Sequence, residues 1–406
     1  MKVLHVTPTF WPATYWGGPI FSTLGLCNAL AALPEVELRV LTTDAAGPSI
    51  GQRISASGFP TQYPAGYEVF YMRRLMGQNV APGLWIRLWS MVRWADVVHL
   101  TGVYSFSTIP TLLVCRILGK PVVWSLRGGL QRWKGGRRRL AKALWELVCW
   151  ALAPSSLVLH ATSPEEAQAA RSRVPYVRAV VISNGVIIPN ESAQRDPGDP
   201  FQLVYLGRLH PIKAIENLLE ACRLLNRNFF RSWSLTVAGT GNPKYQDSLR
   251  HLVAALGLSE QVRFVGEITG NDKARLFDRA DILLLPSHSE NFGLAVTEAL
   301  AHGVPVIAST GTPWKELEEK RCGLWTDNNP EHLAGAIVRI REMPLREMGQ
   351  RGREWMQRDY AWASKSREMV ALYEHMVGQT ERPTGVDLRS PWTSAETPKP
   401  GTSTTR

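Results

Sequence analysis

Two carboxylates eight positions apart, Glu290 and Glu298, bracket the start of a helix in the stretch PSHSENFGLAVTEALAHGVPVIAS, residues 286–309. A helix N-terminus presents unpaired N–H groups and a positive dipole end, so Asn291, Phe292, Gly293 and Leu294 suit a phosphate. Gly293 lets the backbone approach it closely. The five residues from Gly293 to Glu298 cover about 7.5 Å of helix, comparable to the separation of a diphosphate from the ribose of the same nucleotide. Glu298 is then placed to accept ribose hydroxyls, and Glu290, before the helix, to reach a sugar on the far side of the phosphates.

A second group lies in LGRLHPIKAIENLLEAC: Gly207 and Arg208 end a strand, and Lys213 follows five positions after the arginine, ahead of an amphipathic helix. Two such cations neutralise the charge that develops on a departing nucleoside diphosphate without a metal. No D-x-D pair of metal ligands occurs in the chain; no metal is expected, and no other cofactor is read from the sequence. Gly17 and Gly18 separate the first strand from the first helix and allow a ligand close to the backbone; a tight turn alone would also explain them. Gly239, with Gly241, is a weak G-x-G signal that fits either a ligand loop or a plain strand-to-helix turn.

These residues need elements to hold them. Short β-rich apolar runs (3–6, 38–42, 97–100, 122–125, 177–182) alternate with helix-length segments (20–33, 109–118, and one capped by Ser163, Pro164 and Glu166). That alternation marks βαβ units around a parallel sheet. A polar, turn-rich stretch at 189–200 reads as a linker. A second βα alternation follows, with strands at 203–206, 235–238, 262–265, 282–285 and 304–308. The fold class is therefore α/β, with two doubly wound Rossmann-like domains facing across a cleft.

In order, the GG pair Gly17–Gly18, ISNGV with Asn184 and Gly185, Arg208 with Lys213, and the E-x7-E pair Glu290/Glu298 resemble the motifs of glycosyltransferase family 4, retaining enzymes of the GT-B fold. The resemblance covers roughly residues 1–377. It implies transfer of a sugar from a nucleotide-diphosphate sugar with retained configuration, by front-face attack in which the leaving phosphate helps deprotonate the acceptor, without catalytic metal. It assigns Glu290 to the donor sugar, Glu298 to the ribose, and Arg208 with Lys213 to the diphosphate. Where many members carry a histidine after the strand KPVVWS, this chain reads SLRGGL. Arg127 stands at or near that place and, being no base, is expected to hold a phosphate or the acceptor. His99 is a second candidate there, or else a satisfied histidine of the cleft wall. The implied organisation is an acceptor-side domain over 1–188, the linker 189–200, a donor-binding domain over 201–360, a helix over 361–378 that crosses back to the first domain, and a disordered tail over 379–406.

Composition bounds the rest. Apolar residues are 45% and charged residues 20%, as in folded globular proteins. Five scattered cysteines without a C-x-x-C pair fit neither a disulfide framework nor a zinc site and point to a cytoplasmic compartment. No secretory leader and no stretch of about 20 apolar residues is read. Lysine and arginine exceed aspartate and glutamate by 46 against 35, or +11, which favours phosphorylated ligands or an anionic membrane surface. Nucleic acid is not expected, since no recognition motif accompanies the charge. The segment 127–142, with seven basic residues, Trp133 and no acid, leads into a helix bearing Leu140, Leu144, Leu147 and Ala151 on one face. It is either a core-packed helix with a solvated basic side or, because cations with Trp133 and Trp145 suit a headgroup interface, a dock on the inner face of a membrane. The acceptor is expected to be a glycan or a lipid-linked glycan. The alternatives are a nucleotide-sugar epimerase or hydrolase of the same fold and a catalytically silent binding subunit. Dinucleotide oxidoreduction is disfavoured because no G-x-G-x-x-G follows the first strand.

Overall fold

A computed structural model describes residues 1–55, 60–77, 79–130, 139–174, 177–190, 198–227 and 232–378. The centre of the expected linker, the tail 379–406, and Trp133 with its basic neighbours before Arg139 lie outside them.

Fourteen strands among the described residues form two sheets. The first holds β1 (Lys2–Val6), β2 (Glu37–Thr43), β3 (Pro60–Gln62), β4 (Glu68–Met72), β5 (Val97–Thr101), β6 (Val122–Ser125), β7 (Leu157–Ala161) and β8 (Arg178–Val181), in the order β3-β4-β2-β1-β5-β6-β7-β8. Every pairing is parallel except that of the short edge strand β3. The second holds β9 (Phe201–Leu206), β10 (Trp233–Ala238), β11 (Val262–Gly266), β12 (Ile282–Leu285), β13 (Val306–Ser309) and β14 (Gly323–Thr326), all parallel, in the order β11-β10-β9-β12-β13-β14. Strand order reverses between β1 and β5 in the first sheet and between β9 and β12 in the second. Open parallel sheets open their ligand crevices at the carboxyl ends of such strands.

Helices cover both faces of each sheet, so the strands are buried on both sides and read as continuous apolar runs. In the first sheet Leu4, Val6, Val98, Leu100, Val122 and Trp124 pack under the helices Pro82–Trp94, Thr108–Leu118 and Arg139–Leu152. The alternate residues Val3, Val97, Val123 and Val158 pack under Gly18–Ala31 and Trp362–Val377. That last helix follows the second sheet in sequence but buries Met369, Leu372 and Tyr373 in the first domain's core. Its leading Trp362 is flanked by two glycines: a Cβ at Gly25 would sit 2.4 Å from the indole and one at Gly185 2.3 Å from it. The helix Ile215–Arg227 buries Ile215, Leu218, Leu219, Cys222 and Leu225, the i, i+3, i+4, i+7 stripe of an amphipathic helix.

One reading of the basic segment is corrected. The helix Arg139–Leu152 turns Trp145, Glu146 and Cys149 toward the core, while Leu140, Leu144 and Leu147 are 88%, 63% and 64% exposed. The leucine face is therefore the outer one, and Trp145, expected at a headgroup interface, instead packs on the core and donates through Nε1 to the Val103 C=O at 2.8 Å.

Candidate active site

The charged groups issue from neighbouring strand ends at the second sheet's switch point. Arg208 follows β9, and the loop carrying Glu290 follows β12. One backbone hydrogen bond joins these loops, and two further features shape the first of them. His288 N–H donates to Ile212 C=O at 2.8 Å, Lys213 N–H donates to His210 C=O at 2.8 Å, and Ala214 turns the chain with a left-handed φ of 50°. The result sets the Lys213 ammonium in hydrogen-bond contact with the Glu290 carboxylate, which Ser287 Oγ also approaches at 3.4 Å. Burial pushes the His210 imidazole's pKa down, helped by the positive charges of Arg208 and Lys213.

Gly293, with a φ of 84°, opens the helix Leu294–Ala301. A Cβ there would meet Leu285, Glu290 and Trp314 at 3.0–3.2 Å, so glycine is required both by the turn and by its neighbours. Across the cleft, Gly17 has a φ of 71° and caps the helix Gly18–Ala31, and a Cβ on Gly18 would lie 3.7 Å from Leu294 Cδ1. Two helix N-termini thus converge on one space, and their dipole ends add to the field of the cations.

That space is a cleft of about 330 Å³, within the size range of small-molecule sites. Its walls include Gly17, Gly18, Arg127, Arg208, Lys213, Gly239, Glu290, Asn291, Phe292, Gly293, Leu294 and Glu298. Arg208 is exposed to it, and Tyr205 Oη donates to the Arg208 C=O at 3.2 Å. Gly239 also serves the backbone: Cβ atoms at Gly239 and Gly241 would each fall 1.9 Å from the carbonyl oxygens of Gly207 and Leu209. The G-x-G pair lets the loop after β10 lie against the loop that carries Arg208.

His99 is the exception, and its candidacy at the cleft is corrected. It is fully buried under the first sheet's switch point, with Nδ1 bonded to Tyr373 Oη at 2.5 Å and Nε2 to Ser125 Oγ at 2.6 Å. It stacks on His5 with ring centroids 4.4 Å apart and meets His160 edge-on at 5.8 Å. Burial pushes all three imidazoles down, His5 and His160 to about 3, with the nearby Arg127 charge lowering each further. Both ring nitrogens of His99 are engaged, leaving none for a ligand.

Arg127 does reach the cleft. It adopts a left-handed φ of 52° and donates through Nη1 to Asn184 Oδ1, while its buried Nε has no partner among the described residues. Burial lowers its pKa, and the Glu166 charge opposes that shift.

Other participants carry no motif. Lys273, from the helix Gly270–Arg279, lines the cleft, holds Glu298 Oε1 at 2.6 Å and stands 5.6 Å over the Phe21 ring of the opposite domain. Glu166, which the sequence marks only as a helix cap, is 1% exposed and gathers Thr162 N–H at 2.6 Å, Thr162 Oγ1 at 2.9 Å and Gly128 N–H at 2.5 Å. Asn291 crosses to this cluster, donating to Thr162 Oγ1 at 2.9 Å and Glu166 Oε2 at 3.3 Å. The side-chain amide nitrogen of Asn291 is therefore used between the domains.

Two family models match side by side: Glycosyltransferase Family 4 over residues 16–188 and Glycosyl transferases group 1 over residues 188–355. The chain belongs to this glycosyltransferase family. Their junction falls at residue 188, just ahead of the polar stretch between the two sheets. A D-inositol 3-phosphate glycosyltransferase of Frankia alni is 32% identical over 201 residues, covering 44% of this chain and 49% of that protein. The chain spans about half the length of the curated relatives it matches. Among solved structures, a sucrose-phosphate synthase from Thermosynechococcus elongatus superposes with a TM-score of 0.73 at 19% identity, over 93% of this chain and 100% of that one. HepE from Anabaena in complex with UDP-glucose gives 0.69 at 19% identity, over 92% and 100%. These likenesses establish the two-Rossmann-domain GT-B fold.

Proposed function

We propose that the protein is a retaining glycosyltransferase that moves a sugar from a nucleoside-diphosphate donor to a hydroxyl of a glycan or lipid-linked acceptor, without a catalytic metal. One observation carries this reading: Arg208, Lys213, Glu290 and Glu298 line a single cleft where two helix N-termini converge. The diphosphate lies against Gly293, Leu294 and the Gly17–Gly18 turn, with Arg208 and Lys213 on its oxygens. Its charge draws Lys213 off Glu290, freeing that carboxylate to accept hydrogen bonds from the donor sugar. Glu298, steadied by Lys273, accepts the ribose hydroxyls. As the bond from the anomeric carbon to the phosphate oxygen breaks, the two cations stabilise the departing charge. The acceptor oxygen attacks from the same face and gives its proton to the leaving phosphate, so no side chain need act as base, and Arg127 holds an anionic group of the acceptor.

UDP is the first nucleotide to test, because the HepE structures contain UDP and UDP-glucose. The reading also places the protein in the cytoplasm, peripheral to the inner face of a membrane where a lipid-linked acceptor is presented. Calorimetry against UDP, GDP and ADP in chelator tests the donor site. Selective binding by one nucleotide, weakened about tenfold or more in Arg208→Ala by loss of a charged hydrogen bond, is the expected result; binding of none of them by the intact chain overturns the donor assignment. Donor turnover without any acceptor would favour the epimerase or hydrolase alternative, and binding without turnover on any acceptor the silent subunit.

A further inference from the structure

The outer face of the first domain carries apolar side chains that nothing among the described residues covers. The helices Pro82–Trp94, Thr108–Leu118 and Arg139–Leu152 lie side by side on one face of the first sheet and share one core beneath them. Each also turns large apolar groups outward. Ile86 is 82% exposed and Trp85 52% on the first helix, and Ile117 is 59% exposed on the second. The third adds Leu140, Leu144 and Leu147. Trp85 stacks on Phe106 with ring centroids 5.2 Å apart, joining the first helix to the start of the second. Large apolar groups exposed together on adjacent helices mark an interaction surface more often than a bare one.

Charge selects the occupant. The three helices carry five basic residues, Arg87, Arg93, Arg116, Arg139 and Lys142, and a single acid, Glu146. That acid is buried and bonded to Arg173 and Tyr104, so it adds no negative charge to the outer face. Arg87, Arg93 and Lys142 are exposed beside the apolar groups. Indole rings and leucines flanked by cations match a bilayer interface with anionic headgroups. No helix among the described residues is long and apolar enough to cross a membrane.

We propose that this three-helix face docks the protein on an anionic lipid bilayer. Topology gives the docking a use. In a βα unit each helix runs back against its strand, so the first turns of these helices lie at the strand-end edge of the sheet, the edge that forms the cleft. A lipid-borne acceptor leaving the bilayer beside Trp85 or Leu140 therefore starts at the cleft rim. The inference extends the proposed function by naming its membrane surface, and it rests on that reading only for the acceptor.

The test is flotation of the full chain with vesicles of phosphatidylcholine alone and with an equal part of phosphatidylglycerol. Two variants are compared, Leu140→Ser/Leu144→Ser/Leu147→Ser and Ile86→Ser/Ile117→Ser, all at exposed positions. The intact protein floats with the phosphatidylglycerol vesicles only, high salt weakens but does not abolish this, and each variant partitions about tenfold less with an unchanged thermal midpoint and unchanged UDP affinity. Absence of binding to anionic vesicles, equal binding to both kinds, or unaltered binding of both variants overturns the proposal. So does a concentration-dependent dimer that the variants dissolve, which assigns the face to a second copy. UDP affinity is read on the same samples, so a chain that floats without binding nucleotide sinks the transferase reading and leaves this surface standing.

Discussion

At the switch point of the second sheet the strand ends release charge into the cleft, whereas at the switch point of the first sheet they fill the space beneath it with neutral rings. β9 and β12 lead to Arg208, Lys213 and Glu290, all at the cleft wall. β1, β5 and β7 instead contribute His5, His99 and His160, which stack or meet edge-on, bond to Thr101, Ser125 and the Ile182 C=O, and lie beneath Arg127, whose side chain faces the cleft. The same topology therefore yields two kinds of polar site. One is half-exposed and holds pairs of opposite charge that a ligand can exchange. The other is closed and fully bonded, and it positions the loop above it.

The comparison breaks first if the charged pair is dispensable. Lys213→Ala and Glu290→Ala are each expected to lower turnover by about 10²-fold or more, the scale of losing one contact to developing charge. His99→Gln, in the closed site, should change turnover far less while lowering stability. Steady-state rates at saturating donor, with thermal midpoints as the control for folding, make the measurement. Near-normal rates in both cleft variants, or a larger catalytic loss in His99→Gln, would reverse the roles of the two sites.

The chain's strongest local signals were also the ones that lie at turns. Gly293, Gly17 and the Arg208–Lys213 loop are legible because helix starts and strand ends restrict which residues fit. Most central strands stand close to their apolar runs, as with β5 and β12. The strands β4, β7 and β14 escape notice, being short segments such as SLVLHA whose strand nature depends on the neighbours they pair with. Lys273 is invisible for another reason: it lies on a helix otherwise rich in solvated charges, and only the fold brings it to Glu298, 25 positions away. His99 misleads because a strand histidine looks alike whether it faces a ligand or Tyr373. The leucine face of Arg139–Leu152 misleads because periodicity shows that a helix has an apolar stripe, not which way the stripe faces.

A closed site of neutral imidazoles should make the protein sensitive to acid. His5 and His160 are held near 3 in the folded chain against about 6.5 when unfolded. Because the folded values are lowered, their contribution to stability is complete above pH 6.5 and is lost as pH falls toward 3. Each group that stays neutral costs roughly 1.4 kcal/mol over every pH unit well below 6.5. Urea midpoints should therefore decline from pH 7 to pH 5, and His160→Gln should decline less steeply. A flat profile in the intact protein would show that the imidazoles are not closed off from protons.

The smallest effect concerns the contact that ties the two regions together. Asn291, from the charged side, donates to Thr162 and Glu166, and Glu166 also holds the Gly128 N–H beside Arg127. If this is one network, Asn291→Ala and Glu166→Gln should not act independently. Each is expected to destabilise, and their double-mutant cycle in urea unfolding should give a coupling of about 1 kcal/mol, the net scale of a buried hydrogen bond. Donor affinity should fall in Asn291→Ala by only a few fold, because the diphosphate's own cations remain. Strict additivity would mean that Asn291 does not feel Glu166 and that this contact does not couple the two switch points. A donor-affinity loss as large as that of Arg208→Ala would instead place the Asn291 amide on the ligand.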